Sequence, residues 1–223
     1  MYKRQFQIQE IAVQNKTVRL QGPEGHEGHV SLRAKCLALQ VGLPDVFVGI
    51  EQEAGLYHDE GKKDSRFQTL LRHGRSRGES EEYWAKSRFS GRQFEIRYRT
   101  EAQLRGWRHE QRSVAEYLAI EFGEPDDGFV ELNPENSQRL LSARLIGTSH
   151  GYGRSSFAHT EKFLIPNAAD ADPAVIAWSK RLFDEGEWET LIQITNETFG
   201  FWGSAYLEAL LRAADITVSM EGR

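Results

Sequence analysis

A His-Asp pair near the middle of the first half of the chain carries side chains that bind metals well. His58 and Asp59 follow the apolar stretch "AGLY", and Lys62 comes three residues after the aspartate. His26 lies far upstream in "GPEGHEGHV", and Asp215 lies far downstream in "LEALLRAADI". Imidazole and carboxylate groups suit divalent transition metals, and a bound cation would offset the cost of burying a carboxylate. The residue types therefore predict a metal site assembled from distant parts of the chain.

Two further histidines extend this set. His109 opens the predicted helix in "GWRHEQRSV", and His150 closes the one in "LIGTSHGYGR". Each has an ordinary explanation when taken singly, as a charge or a capping group at a helix end. The order His, His-Asp, His, His, Asp along the chain is more specific than any of its members. His29, His73 and His159 are weaker candidates, which we leave outside the predicted site.

The cysteine content and the apolar runs limit the kind of protein. Cys36 is the single cysteine, which excludes an internal disulfide framework and a cysteine-rich zinc site. Histidine and carboxylate ligands favour Mn, Fe, Ni, Co or Zn. The N-terminal "MYKRQFQIQEIAVQNK" has no apolar signal core, and the chain has no run of about 18 apolar residues. We therefore expect no membrane span, no export and a cytoplasmic location.

Helical periodicity accounts for most of the sequence. Helices are predicted at 26–41, 45–59, 108–122, 136–148, 173–184, 187–198 and 202–219. Residues 5–20 alternate polar and apolar side chains around Asn15-Lys16, which predicts a hairpin or an extended segment. Residues 73–105 are predicted to be loop with short helical pieces, and 165–173 a loop. Many helices with almost no strand signal predict an all-α domain.

The same periodicity gives the direction of three candidate ligands. His26, His58 and Asp215 each continue the apolar face of a predicted helix. Gly61 is predicted to end the helix that contains His58. Three helices would thus each direct a metal-binding side chain towards the core.

Charge is distributed unevenly along the chain. The whole sequence has a net charge of −5, whereas residues 60–112 contain 14 Lys and Arg against 8 Asp and Glu, a local +6. A basic stretch of this kind can bind a polyanion, because nearby charges are the least screened. A solvated loop surface is the alternative explanation.

Several motifs resemble one family when they are taken in order. They are "LYHDEGKKDSRFQTLL", "AKS", "WRHEQRSV", "SHGYGR" and "FGFWGSAYLEALLRAADITVSMEG". They resemble the HD nuclease domain of the CRISPR-associated helicase-nuclease of type I systems, within the HD metal-dependent phosphohydrolase superfamily. They are most similar to the subtype, once called U and now G, in which the HD domain follows the helicase. The resemblance implies an HD-domain helical bundle over residues 23–223, with a metal site between helices, after a lead-in over 1–22.

The family resemblance also implies an activity and its partners. The activity is metal-dependent endonuclease cleavage of single-stranded DNA in CRISPR interference, with one or two divalent metals. The partners are single-stranded DNA, a helicase domain or subunit, and a guide-RNA surveillance complex. The first metal would be held by His26, His58, Asp59 and Asp215. Asp59 would bridge to a second metal held by His109 and His150.

The resemblance further suggests residues that contact phosphate. Lys62 would place its ammonium on the scissile phosphate. Arg154 and Ser219 lie near the ends of their motifs and are weaker candidates for the same role. An exposed arginine and a serine at a helix end are also ordinary surface features.

One position departs from the family pattern. The family usually has two consecutive histidines before the glycine, whereas this chain has Ser149-His150. A hydroxyl is a poor substitute for imidazole, so we expect water in that position or a weakly bound second metal. The chain also lacks a G-x-x-x-x-G-K-[ST] loop and hence a P-loop motor. Two alternatives stay open: an HD phosphohydrolase acting on nucleotides, and a non-catalytic interaction module with a degraded second metal site.

Overall fold

Helices make up most of the computed structural model, which describes residues 17–87, 92–125 and 136–223. The prediction of an all-α fold is confirmed. In chain order, the elements are β1 (Val18–Arg19), α1 (His26–Gln40), α2 (Asp45–Tyr57), a 3₁₀ turn (Glu60–Lys63), α3 (Ser65–Leu71), β2 (Trp84–Lys86), α4 (Arg92–Glu101), α5 (His109–Phe122), α6 (Ser137–Thr148), α7 (Glu161–Leu164), a second 3₁₀ turn (Ala168–Asp170), α8 (Pro173–Phe183), α9 (Glu187–Phe199) and α10 (Phe201–Met220).

One apolar core joins these helices. Helix α1 packs against α2 and α10, while α5 packs against α6 and α8. Val30 of α1, Ala54 of α2 and Leu211 of α10 are completely buried. Trp188 is also completely buried, and Trp178 is 2% exposed. Full burial of a side chain such as Val30 or Leu211 contributes about 1.5–3 kcal/mol relative to its exposed state. The core therefore fixes the helix ends at which the candidate ligands lie.

Two short strands hold the N-terminal segment against the helices. Strand β1 pairs with β2 in antiparallel fashion, with Val18 opposite Lys86 and Arg19 opposite Trp84. The extended segment predicted before residue 20 is thus seen at β1, whereas the turn predicted at Asn15-Lys16 lies outside the described residues. The domain boundary predicted after residue 22 stays a prediction.

Strand β2 was not expected from the sequence. Residues 73–105 were predicted as loop with short helical pieces, and α4 is such a piece. A strand of three residues is too short to show a period of two, and its partner is more than 60 residues away. Its position matters for the site, because Lys86 at its end faces the cavity described below.

The helix that carries the His-Asp pair is shorter than predicted. Helix α2 ends at Tyr57, not at residue 59, and Asp59 has φ −110° and ψ 4°, outside the helical range. Gly61 does not stop the helix in a left-handed conformation, so that prediction was wrong. A Cβ at Gly61 would instead lie 2.2 Å from the carbonyl oxygen of His109. Glycine at this position allows the start of α5 to approach the His-Asp turn.

Among the described residues, no helix combines the length and the apolar character needed to cross a bilayer.

Glu51 on α2 makes the stability of the protein depend on pH. Its side chain is fully buried, and neither carboxylate oxygen has a hydrogen-bond partner among the described residues. Burial raises the pKa of Glu51 from 4.5 to about 8. Between these two values the folded chain binds more protons than the unfolded chain, so the free energy of unfolding falls as pH rises.

We therefore expect Glu51→Gln to flatten the pH dependence of stability. Between about pH 5 and about pH 8, its free energy of unfolding should fall by about 3 kcal/mol less than that of the wild type. Urea unfolding at both pH values measures this difference. Glu197→Gln, on an exposed position of α9, is the control and should behave like the wild type. Equal pH dependence in wild type and Glu51→Gln would contradict the assignment.

Candidate metal centre

Six of the predicted site residues converge at one end of the helical bundle. Two lie in the turn after α2, two are the first residues of helices, one follows α6 and one lies near the end of α10. In chain order they are His26, His58, Asp59, His109, His150 and Asp215. His58 and Asp59 share one turn, and the other four residues come from four separate segments. The packing of these five segments therefore determines how the six side chains are arranged.

The first group of ligand atoms surrounds one oxygen of Asp59. His26 Nε2 lies 3.6 Å from Asp59 Oδ2 and 3.0 Å from Asp215 Oδ1. His58 Nε2 lies 3.4 Å from Asp59 Oδ2 and 3.9 Å from Asp215 Oδ1. His26, His58 and Asp59 are completely buried.

The second group lies on the other oxygen of the same carboxylate. His109 Nε2 is 3.1 Å from Asp59 Oδ1 and 2.9 Å from His150 Nε2. Asp59 therefore faces histidines on both sides, which is the geometry of a bridging carboxylate.

The two buried histidines of the first group direct Nε2 towards this centre. His58 Nδ1 lies 2.9 Å from the carbonyl oxygen of Gly55, and His26 Nδ1 lies 2.9 Å from that of Arg223. A carbonyl only accepts, so each Nδ1 carries a hydrogen, and Nε2 is the ring nitrogen that faces the centre. His58 Nε2 and Asp59 Oδ1 are buried and have no hydrogen-bond partner among the described residues.

These contacts fit a divalent metal. Acceptor atoms 3.0–3.6 Å apart repel one another unless a proton or a cation lies between them. Two ligands on one ion, each bound at about 2.1 Å, are about 3.0 Å apart at right angles and about 3.4 Å apart at tetrahedral angles. Five of the six separations given above, at 2.9–3.6 Å, lie close to this range, and the contact of His58 Nε2 with Asp215 Oδ1 is longer at 3.9 Å. Nitrogen and carboxylate oxygen ligands without sulfur suit Mn, Fe, Co, Ni and Zn.

Asp59 is held as a carboxylate despite its complete burial. Burial alone would raise the pKa of Asp59, but His58, Lys62 and His109 hold that pKa well below its usual range. Lys62 Nζ donates to Asp59 Oδ2 at 2.5 Å. Burial also opposes the charge on Lys62, yet the carboxylates of Asp59 and Asp215 raise the pKa of its ammonium. The pair is therefore charged at neutral pH.

The pKa values of three other ligands are shifted towards the forms that bind a metal. Burial lowers the pKa of His58. Burial, assisted by the neighbouring His109, lowers the pKa of His150 to about 4. Burial acts to raise the pKa of Asp215, but contact with His26 and the nearby His58 hold it below its usual range. Neutral imidazoles and ionised carboxylates are the metal-binding forms of these groups.

An ionic network centred on the buried Glu208 holds the segment that carries His150. Glu208 of α10 accepts from Arg144 Nε at 3.2 Å and from Arg154 Nε at 2.8 Å. Arg144 also donates to Thr195 and Asn196 of α9. The network connects α6, α9, α10 and the loop after His150. These contacts stabilise the backbone on both sides of His150.

A cavity of about 430 Å³ opens onto both groups of ligands. Its basic lining comes from Lys62, Lys86, Arg99 and Arg108. The last three were not predicted as site residues, although all lie in the basic stretch 60–112. The positive charge of residues 60–112 indicated that some of these side chains could bind an anion. It did not indicate which of the fourteen Lys and Arg residues line the cavity.

The predicted phosphate-contacting residues have different positions. Lys62 and Ser219 line the cavity, and Ser219 Oγ donates to Asp215 Oδ1 at 3.1 Å. Arg154 is paired with Glu208 and is not among the residues that line the cavity. Its side chain is exposed and pairs with the buried Glu208.

The residues left outside the predicted site lie elsewhere. The ring of His73 packs on Phe94, and His159 Nε2 contacts the carbonyl oxygen of Gly106. His29 Nε2 is 4.0 Å from a carboxylate oxygen of Glu24. Ser149, the departure from the family pattern, is buried, and its hydroxyl has no hydrogen-bond partner among the described residues.

No family model, no curated protein and no solved structure matches the chain. The family resemblance therefore stays a prediction from the sequence motifs, whereas the arrangement of the six side chains is independent of it.

Proposed function

We propose that this chain is a metal-dependent phosphodiesterase that cuts single-stranded DNA. One observation carries the proposal: Asp59 lies between two sets of histidines, and His58 Nε2 and Asp59 Oδ1 are buried ligand atoms without hydrogen-bond partners among the described residues. Such atoms are costly to bury unless they bind something. A basic cavity at the same place suits a phosphodiester as the substrate.

The protein residues would position the ions and the substrate. The first metal would be held by His26, His58, Asp59 and Asp215. The second would be held by Asp59, His109 and His150, with water at the position where the family has another histidine. When bound, a divalent metal supplies Lewis acidity that lowers the pKa of water and polarises a phosphoryl oxygen.

Lys62 has a supporting part in this scheme. Its ammonium neutralises Asp59 and lines the cavity, so it would both hold the carboxylate and attract the phosphate. The carbonyl of Gly55 would keep His58 in the tautomer that presents Nε2 to the metal. The same proposal includes phosphate binding by Lys62 and Ser219, and contact of Arg154 with a strand outside the cavity.

The family resemblance extends the proposal to a biological setting. In it, the chain works in the cytoplasm with a helicase domain or subunit, which delivers the strand exposed by a guide-RNA surveillance complex during CRISPR interference. The chain itself has no P-loop motor to separate strands. Intact duplex would therefore be a poor substrate for the isolated protein.

Cleavage of circular DNA tests the substrate. We expect the single-stranded circle to be cut at least about 100-fold faster than the same sequence as a relaxed duplex circle, because strand separation is unfavourable without a motor. Binding of the single strand should weaken steeply with salt, because phosphate contacts release counterions. A reaction with excess chelator is the control. Equal cutting of duplex, or binding that does not change with salt, would contradict the proposal.

Two other functions predict different results in the same experiments. A cavity of about 430 Å³ would also accept one nucleotide, so an HD phosphohydrolase would hydrolyse deoxynucleoside triphosphates and leave the circle intact. A non-catalytic interaction module with a degraded second site would show neither activity, whatever metal is added.

A further inference from the structure

Lys86 is a partly buried cation in the cavity at the candidate metal centre, and it forms no ion pair with any described residue. It lies at the end of β2, and its Nζ donates to Ser219 Oγ at 2.6 Å. Ser219 in turn donates to Asp215 Oδ1, so the lysine reaches the centre through a hydroxyl. Among the described residues, no carboxylate oxygen forms an ion pair with Lys86, whereas Lys62 in the same cavity is paired with Asp59.

This arrangement leaves binding capacity on the ammonium. A lysine ammonium has three donors, and the contact with Ser219 uses one of them. Removing an ammonium from water without a counter-charge is unfavourable, and an oxyanion at hydrogen-bond distance would offset that cost. Burial, followed by repulsion from Lys62, lowers the pKa of Lys86 to about 8, although the carboxylates of Asp215 and Asp59 act to raise it.

The neighbouring charges favour an anion at this place. Arg99 and Arg108 line the same cavity, and Arg108 packs on the ring of Tyr152 at 3.6 Å from the ring centroid. Arg99 is paired with Glu95, and Arg108 lies 4.0 Å from Glu110, so their charges are partly offset within the chain. Among the described residues, Lys62, Arg99 and Arg108 each have a carboxylate within ion-pair distance, whereas Lys86 has none.

We propose that Lys86 forms an oxyanion subsite that binds a non-bridging oxygen of the substrate phosphate on the Asp215 side of the cavity. This inference rests on the proposed function, because it assigns the substrate phosphate to that site. The ligand class is a phosphate ester, and inorganic phosphate is a sufficient probe. Pairing of β2 with β1 sets the position of the lysine, so the subsite depends on a strand that is separate from the metal ligands.

Calorimetric titration of the purified full chain with inorganic phosphate tests the subsite. Lys86→Met should bind phosphate at least about tenfold more weakly than the wild type, a loss of about 1.4 kcal/mol. Lys86→Arg should keep most of the affinity, because it keeps the charge. Lys180→Met, which removes an exposed lysine on α8, is the matched control and should bind like the wild type. Metal content should be the same in all four proteins.

Cleavage kinetics give a second readout. With a single-stranded substrate, Lys86→Met should raise KM at least about tenfold and change kcat less, as expected for loss of a binding contact. Unchanged phosphate affinity in Lys86→Met, or an equal loss in Lys180→Met, would overturn the subsite. If Lys86→Met does not fold, Lys86→Gln, which keeps a hydrogen-bonding end for Ser219, takes its place under the same criteria.

Failure of the subsite and failure of the nuclease proposal can be told apart. A wild type that binds phosphate through Lys86 but cleaves no phosphodiester would retain the subsite and reject the nuclease. A wild type that cleaves DNA while Lys86→Met is indistinguishable from it would reject the subsite alone.

Discussion

Asp59→Asn should abolish cleavage while the helical fold persists. Its two oxygens face the two groups of histidines, with Oδ2 near His26 and His58 and Oδ1 near His109. An amide is uncharged and offers one acceptor, so it cannot serve both groups as the carboxylate can. We expect cleavage to fall by at least ~10³-fold and bound metal to be lost.

The control for this prediction is an aspartate far from the centre. Asp170→Asn changes an exposed carboxylate in the second 3₁₀ turn and should leave cleavage and metal content unchanged. Circular dichroism of both variants checks that the helices are retained. Wild-type cleavage by Asp59→Asn with its metal in place would show that this carboxylate is not a ligand.

Gly61→Ala should disrupt the site through packing alone. The added Cβ would lie 2.2 Å from His109 O and 2.8 Å from Arg112 Cβ, so the start of α5 has to move. Overpacking of this kind costs about 1–3 kcal/mol and occasionally more, and we expect about 3 kcal/mol because the closest atom belongs to the backbone. The movement also shifts His109 away from Asp59. Cleavage should therefore fall at least about tenfold at temperatures where the variant is folded.

Gly49→Ala is a matched control on the preceding helix. A Cβ at Gly49 would meet no described heavy atom within 4 Å. Alanine favours a helix interior over glycine by about 0.5–1 kcal/mol, so this variant should be slightly more stable than the wild type. Thermal unfolding of the two variants side by side gives opposite expected shifts. Equal stability of Gly61→Ala and the wild type would contradict the close approach of α5.

The helices and the inward direction of the ligands could be predicted because both follow from local periodicity. His26 and Asp215 lie on helices whose apolar faces repeat clearly, and the structure brings these residues within 3.0 Å of each other. The predicted end of α2 was wrong by two residues, because His58 keeps helical backbone angles after the helix ends and only Asp59 departs from them. The spacing of apolar residues does not locate the end of a helix to within one or two residues.

Contacts that depend on distant pairing could not be predicted. Lys86 reaches the cavity because β2 pairs with β1 across more than 60 residues, and two strands this short carry no periodic signal. Arg154 lies near a motif but is held by Glu208, a carboxylate buried on another helix. Gly61 was predicted to end a helix, whereas glycine is needed there because the backbone of α5 leaves no room for a Cβ. In each case the partner belongs to a segment that the local sequence does not specify.

The metal content of the protein tests the central claim most directly. After equilibrium dialysis against Mn, Fe, Co, Ni or Zn, elemental analysis should find at least one tightly bound ion per chain for one or more of these metals. The double variant His26→Ala/His58→Ala should lose that ion while its circular dichroism stays helical. A wild type that retains none of the five metals, or a double variant that retains the same amount, would contradict the account.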